Sequence, residues 1–199
     1  MKHQIRHLKR RDRKLAKVIE KINLEPLMKT NNHFRHLVES IISQQLSVKA
    51  ADTITTRFIK LFAKKKIAKF PTPKDILKTR KNVLRSAGIS GQKASYIRNI
   101  ARAKIDFKKI KQMGDEEVIV ELTKIKGIGR WTAEMFLMFS LQRDDVFSCG
   151  DLGLLNGMKK VYGLRKHPSR RQVEKITAKW KPYRTLAARY LWASLDNNG

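Results

Sequence analysis

The sequence predicts an all-α protein. Apolar residues recur at i, i+3, i+4 and i+7 through most of the chain. Alternation of apolar and polar residues, the mark of a half-buried strand, is nearly absent. Ser, Asp and Gly stand where helices start and stop.

Residues 6 to 22 read as one basic amphipathic helix with Leu8, Leu15, Val18, Ile19 and Ile22 on one side. Glu25-Pro26 and Asn31-Asn32 interrupt it. Residues 33 to 45 follow, with Phe34, Leu37, Val38, Ile41 and Ile42 as a single core-facing stripe. Gln44-Gln45-Leu46 stands where that helix ends, and Ser47 caps the next, which carries Ala51, Ile54, Phe58, Ile59 and Phe62. Pro71 and Pro73 mark a turn before a helix from Lys74 to Ser86 that stops at Gly88. Ser90 caps a helix through Ala94, Ile97 and Ala101, and Asp106 and Asp115 open two short ones. Leu122 to Ile128 leads into a helix with Ala133, Met135, Phe136, Met138 and Phe139. After a loop at Asp144 to Gly150, helices are expected over about 151–161, 170–179 and 183–195.

Lys and Arg number 45 against 17 Asp and Glu, a formal net charge of +28. Such a charge repels itself unless polyanions neutralise it, so nucleic acid or an anionic surface is the default partner. The chain is nevertheless 41% hydrophobic, which excludes a disordered basic tail. The single cysteine, Cys149, excludes an internal disulfide and any four-thiolate metal or iron–sulfur site. Two residues from an acid but with no His close in sequence, it is read as packing rather than as a nucleophile. His33 and His36 share a helical face without acidic or Cys partners at ligand spacing, and are read as a solvated surface pair. No run approaches the ~18 apolar residues of a membrane span. The basic N-terminus lacks a following apolar block, so an intracellular protein is expected.

The informative stretch is Leu122-Thr-Lys-Ile-Lys-Gly127-Ile-Gly129-Arg-Trp131-Thr-Ala. Two glycines at a helix start let backbone N–H groups approach an anion closely. A dinucleotide fingerprint fails because no strand precedes it and the third Gly is missing. A Walker A loop fails because its Gly-Lys-Ser/Thr end is missing. A helix–hairpin–helix that grips a nucleic-acid phosphate remains, with Lys126, Gly127, Gly129, Arg130 and Thr132 as candidates to hold it. The alternative reading of the same residues is a capped inter-helix turn. Asp151, twenty residues beyond Trp131, likewise reads either as the cap of the helix starting at Leu152 or as a functional acid.

Three blocks give these residues a context. They are Phe34-x-x-Leu37-x-x-x-Ile41-x-x-Gln44-Gln45-x-Ser47, then Gly88-Ile-Ser-Gly-Gln-Lys93-Ala94, then the hairpin through Asp151 to Trp180-Lys-Pro182-Tyr-Arg184 and Trp192. Over about residues 34 to 195 the chain resembles the helix–hairpin–helix DNA glycosylase superfamily, in its 3-methyladenine DNA glycosylase II branch. The resemblance implies a monofunctional enzyme that flips alkylated purines (3-methyladenine, 7-methylguanine) out of duplex DNA and hydrolyses their N-glycosidic bond. Asp151 would be the catalytic carboxylate, because bond cleavage builds positive charge on the sugar. Trp131 and Trp192 would line the base pocket, where an indole face attracts a cationic base. Core packing is the competing reading for Trp131, whereas Trp192 lies off the apolar stripe of its own helix.

Met135 and Leu152 stand where some relatives carry bulkier Tyr residues, which leaves the substrate range open. Trp131 also stands where bifunctional relatives carry a Schiff-base lysine, so no strand cleavage is implied. Lys93, Lys124 and Lys126 are read as phosphate contacts or solvated. The turn at Gln45 and Leu46 would supply the wedge that fills the hole left by a flipped nucleotide, with C-capping as the plainer reading. Carbonyls of Thr123, Ile125 and Ile128 would hold a monovalent Na+ or K+; no other cofactor is implied.

The expected organisation is a lobe over 34–142 ending in the hairpin (about 118–141), and a second lobe of 1–33 with 143–199. The active site would lie in the cleft between them. The expected partner is damaged double-stranded DNA, met by a monomer in the nucleoid of a prokaryote or the nucleus of a eukaryote. Two alternatives remain open: a glycosylase for deaminated, mismatched or oxidised bases, and a non-catalytic DNA-binding protein. The segment from Asp115 to Asp151 holds eight of the 17 acidic residues. The excess positive charge therefore lies elsewhere, in Lys9 to Lys21, Lys60 to Lys69 and Arg165 to Arg171.

Overall fold

The computed structural model describes residues 1–28, 30–63 and 69–196. Part of the basic Lys60 to Lys69 run (64–68) and the last three residues (197–199) lie outside these. In chain order the helices are α1 (Lys2–Arg11), α2 (Arg13–Lys21), α3 (His33–Ser43), α4 (Val48–Lys60), α5 (Pro73–Lys78), α6 (Lys81–Arg85), α7 (Gly91–Arg102), α8 (Phe107–Gln112), α9 (Asp115–Thr123), α10 (Arg130–Met135), α11 (Leu152–Tyr162), α12 (Arg170–Thr177) and α13 (Arg184–Asp196). A π-helical turn, Phe136–Ser140, continues α10, and a 3₁₀ turn, Ala178–Trp180, continues α12. There is no strand among the described residues, as the periodicity predicts. No helix among them is long and apolar enough to cross a membrane. The chain divides into two units, Met1–Lys29 with Leu137–Gly199, and Thr30–Phe136.

In the first unit the expected single helix over 6–22 is two helices broken at Asp12. The cause is local. Asp12 takes an extended conformation (φ −146°, ψ 103°), and its Oδ1 accepts the N–H groups of Lys14 and Leu15, both at 3.1 Å. A short polar side chain that bonds its own downstream backbone competes with helix continuation. The carboxylate is buried, so further donors are required. Trp180 Nε1–H supplies one at 3.1 Å and the Tyr162 hydroxyl another. Burial, with Asp12 beside it, pushes the Tyr162 pKa far above its ordinary value, so the phenol remains a donor.

Residues 180–184 of the Trp-Lys-Pro-Tyr-Arg block tie other segments down. Trp180 is fully buried against Phe147. Arg184 grips Asp145 through both carboxylate oxygens, at 2.7 and 3.1 Å, and through its carbonyl at 2.8 Å. Thr185 Oγ1 donates to the Arg143 carbonyl at 2.5 Å and accepts Val146 N–H at 3.0 Å. The loop before α11 is thus fastened to the start of α13.

In the second unit, Leu37, Val38, Ile41 and Ile42 of α3 are fully buried, and α3 packs on α4 and α7. Each such side chain contributes about 1.5–3 kcal/mol of transfer free energy. Side-chain caps stand where the sequence places them: Ser47 to Ala50 N–H, Ser90 to Lys93 N–H, and Asp106 to Lys108 and Lys109 N–H. The helix expected over 74–86 is split into α5 and α6, because Arg98 Nη1 takes the carbonyls of Ile76 (3.1 Å) and Thr79 (2.5 Å) and ends α5 there.

His33 corrects the sequence reading. It is buried, not part of a solvated pair, with its ring against Phe107 (centroids 5.6 Å) and Phe136 (6.0 Å). Burial lowers its pKa, and Lys111 and His36 add to the shift. A folded-state pKa below the unfolded value of about 6.5 gives stability that is complete above that pH and is lost as pH falls below it. Urea unfolding should therefore show stability falling between pH 7.5 and 5.5, and falling less in His33→Phe. An equal fall in the variant would remove His33 from the account.

Candidate active site and DNA interface

Asp151 begins α11 as its N-cap. Its Oδ1 accepts the Leu154 N–H at 2.7 Å, and only 8% of the residue is exposed. The capping reading is therefore a finding. The same Oδ1 accepts the indole Nε1–H of Trp192 at 2.9 Å, which explains why Trp192 sits off the apolar stripe of α13.

Two close approaches bring the indole there. A Cβ on Gly157 would lie 2.7 Å from the Leu191 carbonyl oxygen, so only glycine lets α13 come this near α11. A Cβ on Gly153 would stand 3.0 Å from Trp192 Cδ1 and Nε1 and 3.1 Å from Asp151 Oδ1. The other indole face meets Phe139 of the π-helical turn, with centroids 5.8 Å apart and planes tilted by 34°. Leu152, beside Asp151, is 62% exposed. Cys149 is exposed in the preceding turn, which corrects its reading as a packed residue.

Trp131 and Met135 belong to the second unit. Trp131 is 40% exposed, so core packing does not account for it, whereas Met135 is buried. The hairpin joins α9 to α10. Its turn is closed by Ile125 N–H to the Leu122 carbonyl (3.1 Å), Ile128 N–H to the Ile125 carbonyl (2.9 Å), and Asn99 Nδ2 to the Lys126 carbonyl (3.0 Å). Gly127 has φ +113°, and a Cβ there would lie 2.3 Å from Tyr96 Cγ. Gly129, the N-cap of α10, has nothing within 4 Å of such a Cβ. Gly127 is thus required by the fold, whereas the space beside Gly129 is open.

The charged candidates are placed unequally. Lys126 is exposed. Arg130 is already engaged: Glu116 takes Nη1 at 3.1 Å and Nη2 at 2.6 Å, and Glu134 takes Nε at 2.9 Å. Those bonds raise the Arg130 pKa and lower that of Glu116. Thr132 is 2% exposed and its hydroxyl accepts from Gln44 Nε2 at 3.3 Å, so its side chain does not face a phosphate. In the turn between α3 and α4, Gln45 adopts φ +57° and both Gln45 and Leu46 are exposed. Lys93 is half-buried, and its Nζ donates to the carbonyls of Ile42 (2.8 Å) and Gln44 (2.7 Å). Among the described residues no three His, Cys, Asp or Glu side chains gather to hold a metal ion.

Residues 38–182 match the model of the HhH-GPD superfamily of base excision DNA repair proteins. The chain belongs to that superfamily. DNA-3-methyladenine glycosylase 1 of Schizosaccharomyces pombe is 36% identical over 185 residues, covering 90% of this chain and 80% of that protein. An alkylbase DNA glycosidase-like protein of the same yeast is 35% identical, over 94% and 90%. Among solved structures, the S. pombe 3-methyladenine DNA glycosylase in complex with abasic DNA superposes with a TM-score of 0.86 at 35% identity, covering 98% of each chain. A Bacillus halodurans DNA-3-methyladenine glycosidase gives 0.81 at 37% identity, over 98% and 89%.

Sequence reasoning missed Phe139, Gly153, Lys93 as a clamp, and Glu116. Gly153 and Gly157, four apart on α11, were a legible sign of close helix packing. Nothing in the sequence marked the π-helical turn or the Arg130–Glu116 pair. The two hairpin glycines should separate in experiment. Gly127→Ala should cost about 3 kcal/mol of stability, from strain and overlap. Gly129→Ala should cost less than about 1 kcal/mol yet weaken duplex DNA binding about fivefold or more. Urea unfolding and fluorescence anisotropy check both, and equal stability losses would refute the division.

Proposed function

We propose that this HhH-GPD protein is a monofunctional DNA glycosylase that releases alkylated purines, 3-methyladenine and 7-methylguanine, from duplex DNA and leaves an abasic site. The carrying observation is the buried Asp151 carboxylate with the Trp192 indole N–H on Oδ1. The relatives named as 3-methyladenine glycosylases support the substrate class.

The chemistry follows from charge. The N-glycosidic bond breaks with its electron pair going to the base, so a cationic alkylated purine departs neutral without a strong general acid. Positive charge develops on the sugar, where a fixed carboxylate stabilises it. Water adds at C1′ and loses a proton. The exposed Trp131 face and the Trp192 indole supply stacking and cation–π attraction for the base, with Met135 and Leu152 as further candidate pocket residues. No lysine stands at Trp131 to form a Schiff base, which supports hydrolysis without strand cleavage. Gln45 and Leu46 are the wedge candidates.

The hairpin fits a monovalent cation to this extent: the Ile125 carbonyl accepts one hydrogen bond and keeps a second lone pair. Thr123, Ile125 and Ile128 carbonyls would hold the ion, which would supply positive charge beside a DNA phosphate. The protein acts on DNA inside the cell, as a monomer.

A second reading, a non-catalytic DNA-binding protein, draws on the relative that is named only glycosidase-like. One assay separates the two. Duplexes carrying methylated, deaminated and oxidised bases are incubated with the protein, with and without alkali. The wild type should release methylated purines and cut strands only after alkali, and Asp151→Asn should lose at least about a hundredfold in rate. Equal rates would end the assignment of Asp151, and no release from any duplex would leave the binding reading.

A further inference from the structure

We propose that Lys93 is a positioning residue that fixes the wedge turn, so that it sets how readily a paired nucleotide is extruded. The proposal rests on the glycosylase reading above.

The turn between α3 and α4 has little of its own to define it. It is three residues long, Gln44 to Leu46, and is closed by Leu46 N–H donating to the Ser43 carbonyl at 3.1 Å. Gln45 stands in the left-handed region at φ +57° without being glycine, a conformation that persists only when its surroundings hold it. Two clamps do so. Lys93, on the third residue of α7, donates from Nζ to the carbonyls of Ile42 and Gln44, on either side of the helix end. These are carbonyls that the end of α3 leaves without helical partners, at the negative end of the helix dipole, where a cation belongs. On the other flank, Gln44 Nε2 donates to Thr132 Oγ1 of α10, the second helix of the hairpin. The clamp is partly buried, which is why desolvation lowers the Lys93 pKa, and its bonds are less exposed to competition from water.

A wedge must act when the stack opens, and a turn free to rearrange would yield instead of filling the gap. Two carbonyls already orient the ammonium, so its proposed effect is on extrusion and not on bond cleavage.

The test compares wild type with Lys93→Met, which keeps the alkyl stem but lacks donors, and with Lys93→Arg, which keeps the charge. Release of 7-methylguanine is measured in single turnover from duplexes with cytosine or mismatched thymine opposite. A mismatched base costs less to extrude, so Lys93→Met should lose about tenfold or more opposite cytosine and under about threefold opposite thymine. Lys93→Arg should recover most of the loss. An equal loss in both contexts, or none in either, would overturn the proposal. Extrusion is read in parallel, without chemistry, by the fluorescence of 2-aminopurine in the duplex. A wild type that raises this signal but releases no base would end the glycosylase reading alone, and Lys93→Met would then still have to lower the signal.

Discussion

The hydrogen bond from the Trp192 indole to Asp151 Oδ1 makes two demands on the chain, and much of the first unit meets them. A carboxylate has to be buried at the start of a helix, and an indole has to reach it from another helix. The first demand is met by the fastened loop before α11, where Arg184 and Thr185 hold residues 143 to 146. The second is met by the absence of side chains at Gly153 and Gly157, which lets α13 lie against α11. The buried Asp12, with Trp180 and Tyr162 as donors, secures the N-terminal helices to the same packing. Asp12 and Asp151, the buried aspartates of this unit, follow one pattern: each accepts N–H donors from the first turn of the helix it caps and an indole N–H from another helix or turn.

The large positive charge plays a different part. Arg130, the arginine nearest the hairpin glycines, is occupied by Glu116 and Glu134. The hairpin therefore presents backbone and an exposed Lys126 more than a free guanidinium. On the proposed function, specific recognition would rest on apolar and aromatic surface, and the excess of Lys and Arg would supply salt-dependent affinity for phosphates. This division suits a protein that must bind any duplex weakly while it acts on rare damaged bases.

The fold was legible because it rests on local signals. Periodicity predicts α3, α4 and α7, and the caps Ser47, Ser90 and Asp106 mark the starts of α4, α7 and α8. Failures came where a distant side chain decided. Arg98 takes the last carbonyls of α5, and Asp12, which breaks the first helix by bonding Lys14 and Leu15 N–H, is satisfied in its buried place by partners 150 and more residues away. His33 looked solvated because its aromatic neighbours Phe107 and Phe136 are far off in sequence. At the site, Asp151 and Trp192 were found from motif and helical angle. Phe139 was read only as an apolar helix residue because the π-helical turn shifts which way it faces, and periodicity at 3.6 residues cannot register that shift.

The proposed role of Asp151 depends on the indole N–H of Trp192 and not only on its ring. Trp192→Phe removes the donor and keeps an aromatic face. Single-turnover release of 7-methylguanine from duplex DNA, at protein concentrations that saturate binding, measures the consequence. A hydrogen bond to a charged group is worth about 1.5–3 kcal/mol, so the variant should lose up to about that much unfolding stability while remaining folded, and its rate should fall about tenfold to a hundredfold. A variant that releases the base at the wild-type rate would contradict the account.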